Sequence, residues 1–276
     1  SSIEVISNPE LLREGKAIHS FNYPDKIVIG AHSDEAFTTM KKVYSGRLRI
    51  HLPIVETDWE TAELIKYANN TFLATKISFI NEMANICDRV GADVKMVARA
   101  IGMDYRIAPK FLNPGVGYGG SCFPKDVKAI VHTAKQHNYT PRLFEEVIAV
   151  NERQKDVIIS KISFIHGEDL KDKTFSILGL SFKPKTSDVR DAPSLSVMRK
   201  LLNMGATLKV FDPKAMEEAK KHFGEEIVYC NSPEHASEDS DAIVVLTEWD
   251  AFRIFYFVFL FLYFQFILFF FFFFFF

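Results

Sequence analysis

The sequence predicts an α/β fold with a helical middle region, and three observations support this prediction. Residues 173–247 alternate short apolar runs with helical stretches, which is typical of a parallel, doubly wound sheet. Residues 57–90 have apolar side chains at helical spacing throughout. Residues 1–52 contain a short buried-type strand and an amphipathic segment, which indicate the end of another α/β domain.

Composition excludes several classes of protein. Charged residues are well mixed and the net charge is −2, which argues against a polybasic nucleic-acid surface. The three cysteines include no CxxC pair and the histidines lack ligand spacing, so we expect no disulfide scaffold and no metal. Fifteen of the 27 phenylalanines lie in residues 252–276. We expect residues 254–276 to be an artefactual, low-complexity tail rather than a membrane span.

The first region has one predicted strand, residues 26–30, one predicted helix, residues 34–44, and an apolar run at 48–55 that Pro53 interrupts. Glu10 and Glu14 lie four residues apart in the segment that follows Ser7 and Asn8. Either this segment is a capped helix with Pro9 at its first position, or a carboxylate here is catalytic. The residues alone favour neither interpretation.

The middle region is predicted to be helical around one loop. Thr57-Asp58 begins a long helix that Gly91 ends, and a second helix follows at 93–101. Residues 113–125 contain six glycines and prolines and are expected to form a loop. Further helices are predicted from residue 126 to about 136, and from 141 to about 165.

The last region is predicted to be a parallel sheet with helices between its strands, in which ligands bind at the carboxyl ends of the strands. The predicted strands are 174–180, 207–211, 227–229 and 242–247, and the predicted helices are 194–203, 214–222 and 232–237.

The glycine-rich segment ends in a candidate nucleophile. Its Gly115-x-Gly117-x-x-Gly120 pattern fits the dinucleotide fingerprint, but no strand precedes it and no helix begins at Gly120. We expect a loop whose backbone closely approaches a ligand. The loop leads to Cys122 at the start of a helix, where the helix dipole and Lys125 favour the thiolate. A nucleophile is favoured over a buried, inert cysteine.

Other polar residues that could take part in catalysis lie at helical spacing. Lys66 and Asn70 share one helix face, and Asp126 lies four residues after Cys122. Lysine and asparagine can stabilise an oxyanion, and aspartate can position a lysine or a water. On spacing alone, a solvated helix face is favoured for Lys66 and Asn70.

Positive charge follows the first strand of the last region. Lys183, Lys185 and Arg190 lie where parallel sheets bind phosphate, although a solvated loop is an equal alternative. Asp212 ends the next strand, where it is either a ribose ligand or part of an ordinary Asp-Pro turn.

The chain closely resembles the UDP-glucose/GDP-mannose dehydrogenase family from residue 1 to about residue 253. Five motifs support the resemblance, and together they are highly specific: residues 7–15, 66–74, 104–107, 119–126 and 179–190. The resemblance implies the C-terminal part of an NAD-binding Rossmann domain at 1–55 and a central helical dimerisation domain, carrying the catalytic cysteine loop, at 56–150. It further implies a linker helix with an incomplete, doubly wound UDP-binding domain at 151–253. We expect the family's first βαβ unit and its true C-terminus to be missing.

The resemblance also implies a reaction, in which NAD oxidises the sugar C6 hydroxyl of UDP-glucose to a carboxylate through a thiohemiacetal and a thioester. The implied catalytic residues are Cys122, Lys66, Asn70, Asp126 and Glu10. Alternatives are another sugar nucleotide (UDP-N-acetylhexosamine or GDP-mannose), an inactive sugar-nucleotide-binding fragment, or a cysteine hydrolase that uses His132 or His137.

The remaining implied contacts concern binding. The implied cofactor ligands are Glu14, Cys122, Lys125 and Arg190. The resemblance implies a cytoplasmic homo-oligomer that associates through the helix at 57–90, with no membrane or nucleic-acid partner. The implied substrate ligands are Glu10, Leu11, Leu12, Arg13, Glu14, Lys66, Asn70, Arg106 (which reaches a neighbouring subunit), Asn113, Pro114, Gly115, Val116, Gly117, Tyr118, Gly119, Phe182 and Lys183.

Overall fold

The computed structural model describes residues 3–45 and 52–253. The expectation for the phenylalanine-rich tail, and part of that for the run at 48–55, therefore lie outside the described residues. The chain divides into two compact units, Ser1–Phe72 and Leu73–Phe276, which we call unit 1 and unit 2.

Unit 1 contains a small parallel sheet. Strand β1 (Ile27–Gly30) pairs with β2 (Ile54–Thr57), so that Gly30 and Thr57 end at the same edge. Helices α1 (Ala17–Asn22) and α2 (Asp34–Ser45) precede and follow β1. The expected strand and the helix after it are confirmed, whereas α1 was not predicted.

Of the two alternatives for the segment after Ser7 and Asn8, the capped helix that starts at Pro9 is wrong. Residues 8–13 have no helical structure. Ser7 instead exchanges two backbone hydrogen bonds with Gly30, at 2.9 and 2.7 Å. Asn8 Nδ2 donates to the Val28 carbonyl at 2.7 Å. The groups that would cap a helix are therefore used to attach this segment to β1.

The long helix α3 (Trp59–Val90) confirms the helical spacing of the middle region. Asp58 Oδ1 accepts a hydrogen bond from the Thr61 amide at 2.7 Å, which is the contact expected of a residue that begins a helix. Gly91 ends the helix with a φ of +71°, a conformation that glycine adopts without strain.

Three further helices precede the second sheet, namely α4 (Val94–Gly102), α5 (Phe123–Gln136) and α6 (Arg142–His166). Helix α5 begins three residues earlier than predicted, because Pro124 lies in its first turn, where a missing N–H costs no hydrogen bond. Residues 58–173, all of them described, contain no strand, so no strand precedes the glycine-rich segment as the dinucleotide fingerprint requires.

The second sheet contains β3 (Thr174–Leu178), β4 (Thr207–Phe211), β5 (Val228–Tyr229) and β6 (Ala242–Val245). It is parallel and has the order β5-β4-β3-β6. Its core contains Phe175 and Ile177 of β3, together with Ile158 and Ile162 of α6. Strand β3 ends two residues earlier than predicted, because Gly179 (φ +95°) turns the chain. The helices between its strands are α7 (Pro193–Asn203), α8 (Met216–Phe223) and α9 (Pro233–Ser237).

Asp212 connects the segments that follow three strands of this sheet. Its side chain is buried directly after β4. Its carboxylate accepts hydrogen bonds from six donors, so a turn-forming role is favoured over that of a ribose ligand. Oδ2 accepts from the amides of Leu180 and Ser181, the Ser181 hydroxyl and the Trp249 indole, and Oδ1 from the amides of Lys214 and Ala215.

Among the described residues, none of the helices combines the length and the apolar character needed to cross a bilayer.

Replacing Asp212 by asparagine should lower the free energy of unfolding by about 3 kcal/mol, because an NH₂ group would then face buried N–H donors. Denaturant unfolding measures the loss. Asp239→Asn is the matched control, since Asp239 is exposed and its φ of +52° suits asparagine; its effect should stay within about 0.5 kcal/mol. Equal losses in both variants would contradict the role of Asp212.

Candidate active site

A buried loop without regular secondary structure is the centre of the candidate site. We call residues 113–121 the glycine loop; most of its residues are buried, although Asn113 is exposed. Buried side-chain amides of α3 and α6 bind its backbone. Gly115 donates to Asn81 Oδ1 at 2.6 Å and accepts from Gln154 Nε2 at 2.7 Å. Asn151 binds both main-chain groups of Tyr118.

We call Asn81, Asn151 and Gln154 the loop-binding amides, and none of them was predicted. Asn81 is fully buried, and Asn151 and Gln154 are nearly so. Their only signal in the sequence is a polar residue at helical spacing from apolar ones, which surface positions of an amphipathic helix also show. Burial also raises the pKa of the Tyr118 hydroxyl above its ordinary value, and Glu152 adds to this rise.

The glycines of this loop permit close contact with the segment that follows β3. A Cβ on Gly119 would lie 2.5 Å from the Asp191 carbonyl oxygen, and one on Gly120 would lie 2.7 Å from the Phe182 ring. The Gly120 amide also donates to the Arg190 carbonyl at 2.8 Å. The structure therefore brings the predicted ligands of the glycine loop next to Phe182.

Cys122 lies where the sequence predicts it, as the residue that immediately precedes α5. Its side chain is exposed, whereas Cys87 and Cys230 are buried. The Ser121 hydroxyl lies 3.6 Å from its Sγ. His132 is ten residues along the same helix, about 15 Å away at 1.5 Å per residue. That separation removes the direct thiol–imidazole contact that a cysteine hydrolase needs.

Asp126 lies one turn after Cys122 and is completely buried. Its amide donates to the Cys122 carbonyl at 2.8 Å. Its carboxylate forms an ion pair with Lys125 at 2.7 Å, and the Lys125 side chain is mostly exposed. The predicted contact of Asp126 with Lys66 or with a water stays a prediction.

Unit 1 brings together a second group of predicted residues. Lys66 Nζ lies 2.6 Å from Glu10 Oε1, although the two residues are 56 positions apart. The other Glu10 oxygen accepts from the Leu12 amide at 2.8 Å. Only 22% of the Lys66 side chain is exposed, so a fully solvated helix face does not describe it. Asn70 lies one turn further along α3 and is half-buried.

The other predicted residues of the segment before α1 are more exposed to solvent. Arg13 forms an exposed ion pair with Asp25 at 3.0 Å. Leu12 is exposed, while Leu11 and Glu14 are half-buried.

The cations after β3 remain at the surface. Lys183 Nζ lies 5.0 Å from the centroid of the Phe182 ring. Arg190 binds Asp188 with Nε and Nη2, and these hydrogen bonds hold the pKa of Asp188 below its usual value. The Arg190 side chain is still 69% exposed. Both cations therefore lie close to the glycine loop, with Arg190 accessible to solvent and Lys183 half-buried.

Arg106 lies in a strained turn. It binds Asp104 through Nε and Nη2, which lowers the pKa of Asp104 and raises that of Arg106. Ala108 has a φ of +61°, which is unusual for a residue with a side chain. Lys76 of α3 donates to the carbonyls of Ile107 and Ala108, at 2.9 and 3.2 Å. Lys76, whose pKa burial lowers, was not among the predicted residues.

Metal ligands do not cluster in the described part of the chain, which contains no group of three His, Cys, Asp or Glu side chains able to bind an ion.

Three domain models of one family match most of the chain. They describe the UDP-glucose/GDP-mannose dehydrogenase family: its NAD binding domain at residues 1–47, its central domain at 60–153 and its UDP binding domain at 176–259.

Individual relatives agree with this match. The UDP-glucose 6-dehydrogenase TuaD of Bacillus subtilis is 48% identical over 90% of this chain and 53% of its own length. The UDP-glucose 6-dehydrogenase of Rickettsia bellii is 44% identical over 91% of this chain and 58% of its own length. A solved structure of a UDP-glucose dehydrogenase from Pyrobaculum islandicum superposes with a TM-score of 0.87 at 37% identity, covering 91% of this chain and 57% of that one. The chain thus spans somewhat over half the length of these relatives.

Gly120→Ala tests the contact between the glycine loop and Phe182. Gly167→Ala is its matched control, because Gly167 has a similar positive φ (+86° against +83°) but open space around a Cβ. The two variants share the backbone strain, so Gly120→Ala should lose about 1–3 kcal/mol more stability through the clash with the ring. Denaturant unfolding gives both values.

Phe182→Leu should restore part of this extra loss. Equal destabilisation of the two glycine variants would mean that the loop and Phe182 separate easily.

Proposed function

We propose that this chain, which belongs to the UDP-glucose/GDP-mannose dehydrogenase family, has UDP-glucose 6-dehydrogenase activity. The reaction is an NAD-dependent, four-electron oxidation of UDP-glucose to UDP-glucuronate. The observation that carries the proposal is the exposed Cys122 thiol between a buried glycine loop and the first turn of α5. Relatives named UDP-glucose 6-dehydrogenase, at 41–48% identity, favour UDP-glucose over other sugar nucleotides.

The described residues are compatible with NAD. Strands β1 and β2 are parallel and end at one edge, which is where doubly wound domains bind dinucleotides. Two NAD molecules, bound one after the other, would each accept one of the two hydrides that leave C6 of the sugar. Glu14, Lys125 and Arg190 are its proposed ligands together with Cys122, and the exposed cations suit its phosphates.

The proposed chemistry uses a thiolate as both nucleophile and leaving group. Loss of a hydride and a proton from the C6 alcohol gives an aldehyde, and Cys122 Sγ bonds to its carbon to give a thiohemiacetal. Loss of a second hydride and a proton gives a thioester. Water then adds to the thioester carbon, the C–S bond breaks, and the carboxylate and the free thiol are formed.

Four other residues have proposed roles in these steps. Lys66 transfers protons at the C6 oxygen and stabilises its negative charge, while Asn70 donates a hydrogen bond to it. Glu10 orients Lys66, which is supported by their 2.6 Å ion pair. Asp126 positions Lys66 or the attacking water, and its complete burial suits a residue with a fixed orientation.

Substrate binding is proposed for three segments. Residues 113–119 contact the sugar nucleotide, supported by the close backbone approach that the glycines permit. Phe182 and Lys183 contact UDP, supported by their position beside Gly120 and by the positive charge of Lys183. Residues 10–14 line the sugar, and Arg106 extends to the substrate of a neighbouring subunit.

The division into 1–55, 56–150 and 151–253 belongs to this proposal, as does a cytoplasmic location. The location is supported by three cysteines that remain free.

A homo-oligomer is proposed through α3. Phe72, Phe79 and Ile86 are exposed by 65, 50 and 47% and recur every seven residues, so they form one apolar stripe along the helix. Exposed apolar stripes of this kind are typical of helix–helix interfaces.

Cys122→Ser should lower UDP-glucuronate formation at least about 10³-fold, because a hydroxyl is a far weaker nucleophile than a thiolate. NADH absorbance and product chromatography are the measurements, and the unsubstituted chain should form two NADH for each sugar. Cys230→Ala, which removes a buried thiol directly after β5, should retain activity. Undiminished product from Cys122→Ser, or one NADH for each sugar, would contradict the mechanism.

Phe79→Glu should reduce the size of the oligomer in sedimentation velocity, because the new charge would be buried in the α3 interface. Phe164→Glu is the control: Phe164 is 89% exposed on α6, and the substitution adds the same charge. An oligomer that is unaffected by Phe79→Glu, or a monomer without any substitution, would argue against association through α3.

A further inference from the structure

We propose that Asn151 is a positioning residue whose side-chain amide sets the position of the glycine loop, and through it the positions of the substrate and of Cys122. This inference rests on the proposed function. Asn151 touches neither the thiol nor any residue with a proposed proton-transfer role, so it would act through the loop.

The contact between Asn151 and the loop has two hydrogen bonds. Tyr118 N donates to Asn151 Oδ1 at 2.7 Å, and Asn151 Nδ2 donates to the Tyr118 carbonyl at 3.1 Å. The amide thus pairs with both main-chain groups of one residue, as a neighbouring strand would. Because Asn151 is 4% exposed, water cannot readily replace these bonds.

This pairing requires an amide. A carboxylate at position 151 has no donor for the Tyr118 carbonyl, and an apolar residue has neither a donor nor an acceptor. The loop is also shaped around the side chain, since a Cβ on Gly117 (φ +110°) would lie 2.9 Å from Asn151 Oδ1.

The other loop-binding amides extend the same arrangement by one turn of α6. Gln154, three residues after Asn151, donates to the Gly115 carbonyl. Its Oε1 in turn accepts from Asn85 Nδ2 at 2.9 Å, which fixes the orientation of the Gln154 amide.

Helix α6 is itself fixed by the core of the second sheet. Ile158 and Ile162, further along α6, are buried in this core, and so is Val116 of the glycine loop. The loop therefore cannot shift relative to α6 without disturbing both buried hydrogen bonds and the core. Since misplacement of reacting groups by about 1 Å can cost 10²-fold in rate, this fixation bears directly on catalysis.

Four charged residues lie around a small pocket beside Asn151 and Tyr118. They are Lys128 of α5, Glu152 and Lys155 of α6, and Asp191. Glu152 and Lys155 pair with each other at 2.7 Å. An aspartate introduced at position 151 would be buried, which raises its pKa, and would regain an O–H donor for Tyr118 as the pH falls.

Asn151→Asp in the full chain tests the first step, with Gln136→Glu as the control because Gln136 is an exposed amide at the end of α5. Hydrogen exchange of the peptide that covers residues 113–122 is measured at pH 8 and pH 5.5, with correction for intrinsic rates. Asn151→Asp should exchange about 10-fold faster at pH 8, and this difference should shrink at pH 5.5. Gln136→Glu should match the unsubstituted chain. Unchanged protection in Asn151→Asp at pH 8 would overturn this inference and leave the proposed function unaffected.

Kinetics and calorimetry with UDP-glucose test the second step. The kcat per active site of Asn151→Asp should fall about 10²-fold at pH 8 and recover partly towards pH 5.5, relative to the unsubstituted chain. A purely structural role would reduce the number of active sites without this pH-dependent recovery. A loosened loop with unchanged kcat and unchanged affinity would overturn positioning.

If Asn151→Asp does not fold, Gln154→Glu, which loses only the donor to Gly115, carries the same measurements and the same outcomes. No binding and no turnover by the unsubstituted chain would overturn the proposed function and, with it, the catalytic part of this inference.

Discussion

The candidate site depends on how a buried loop satisfies its main-chain hydrogen bonds. Residues 113–121 have neither a helix nor a strand to supply partners, and each buried main-chain group left unpaired costs about 1–3 kcal/mol. The amides of Asn81, Asn151 and Gln154 supply such partners to Gly115 and Tyr118 from two helices. Glycine is required in the loop for a steric reason, because Phe182 and Asp191 leave no space for a Cβ.

The segment on the other side of this contact has an analogous arrangement. The chain leaves β3 at Gly179, and Asp212 immediately binds the amides of Leu180 and Ser181. Phe182 is the next residue, and its ring lies against Gly120. Two irregular segments therefore meet, and each is fixed by a buried polar side chain within a few residues of the contact. A ligand that bound beside this contact would find a largely preformed surface.

Local signals explain what the sequence could predict. The positions of α3 and β4 follow from periodicity, and Cys122 could be placed at a helix start because the glycine-rich loop ends there and a helical stretch follows. The segment at Pro9 shows the limit, since Ser7 and Asn8 bind β1 rather than cap a helix. The Glu10–Lys66 pair spans 56 positions, and the loop-binding amides resemble ordinary surface residues of a helix. Such contacts arise only when distant segments pack.

The position of Cys122 combines exposure with restraint. The loop before it is fixed by buried amides, and one turn after it the fully buried Asp126 donates its amide to the Cys122 carbonyl. The backbone is thus restrained on both sides, while the thiol remains accessible. A residue that must attack a carbon and later leave it, within one turnover, needs both properties. Its sulfur must approach the carbon in a fixed geometry, and water must reach the thioester.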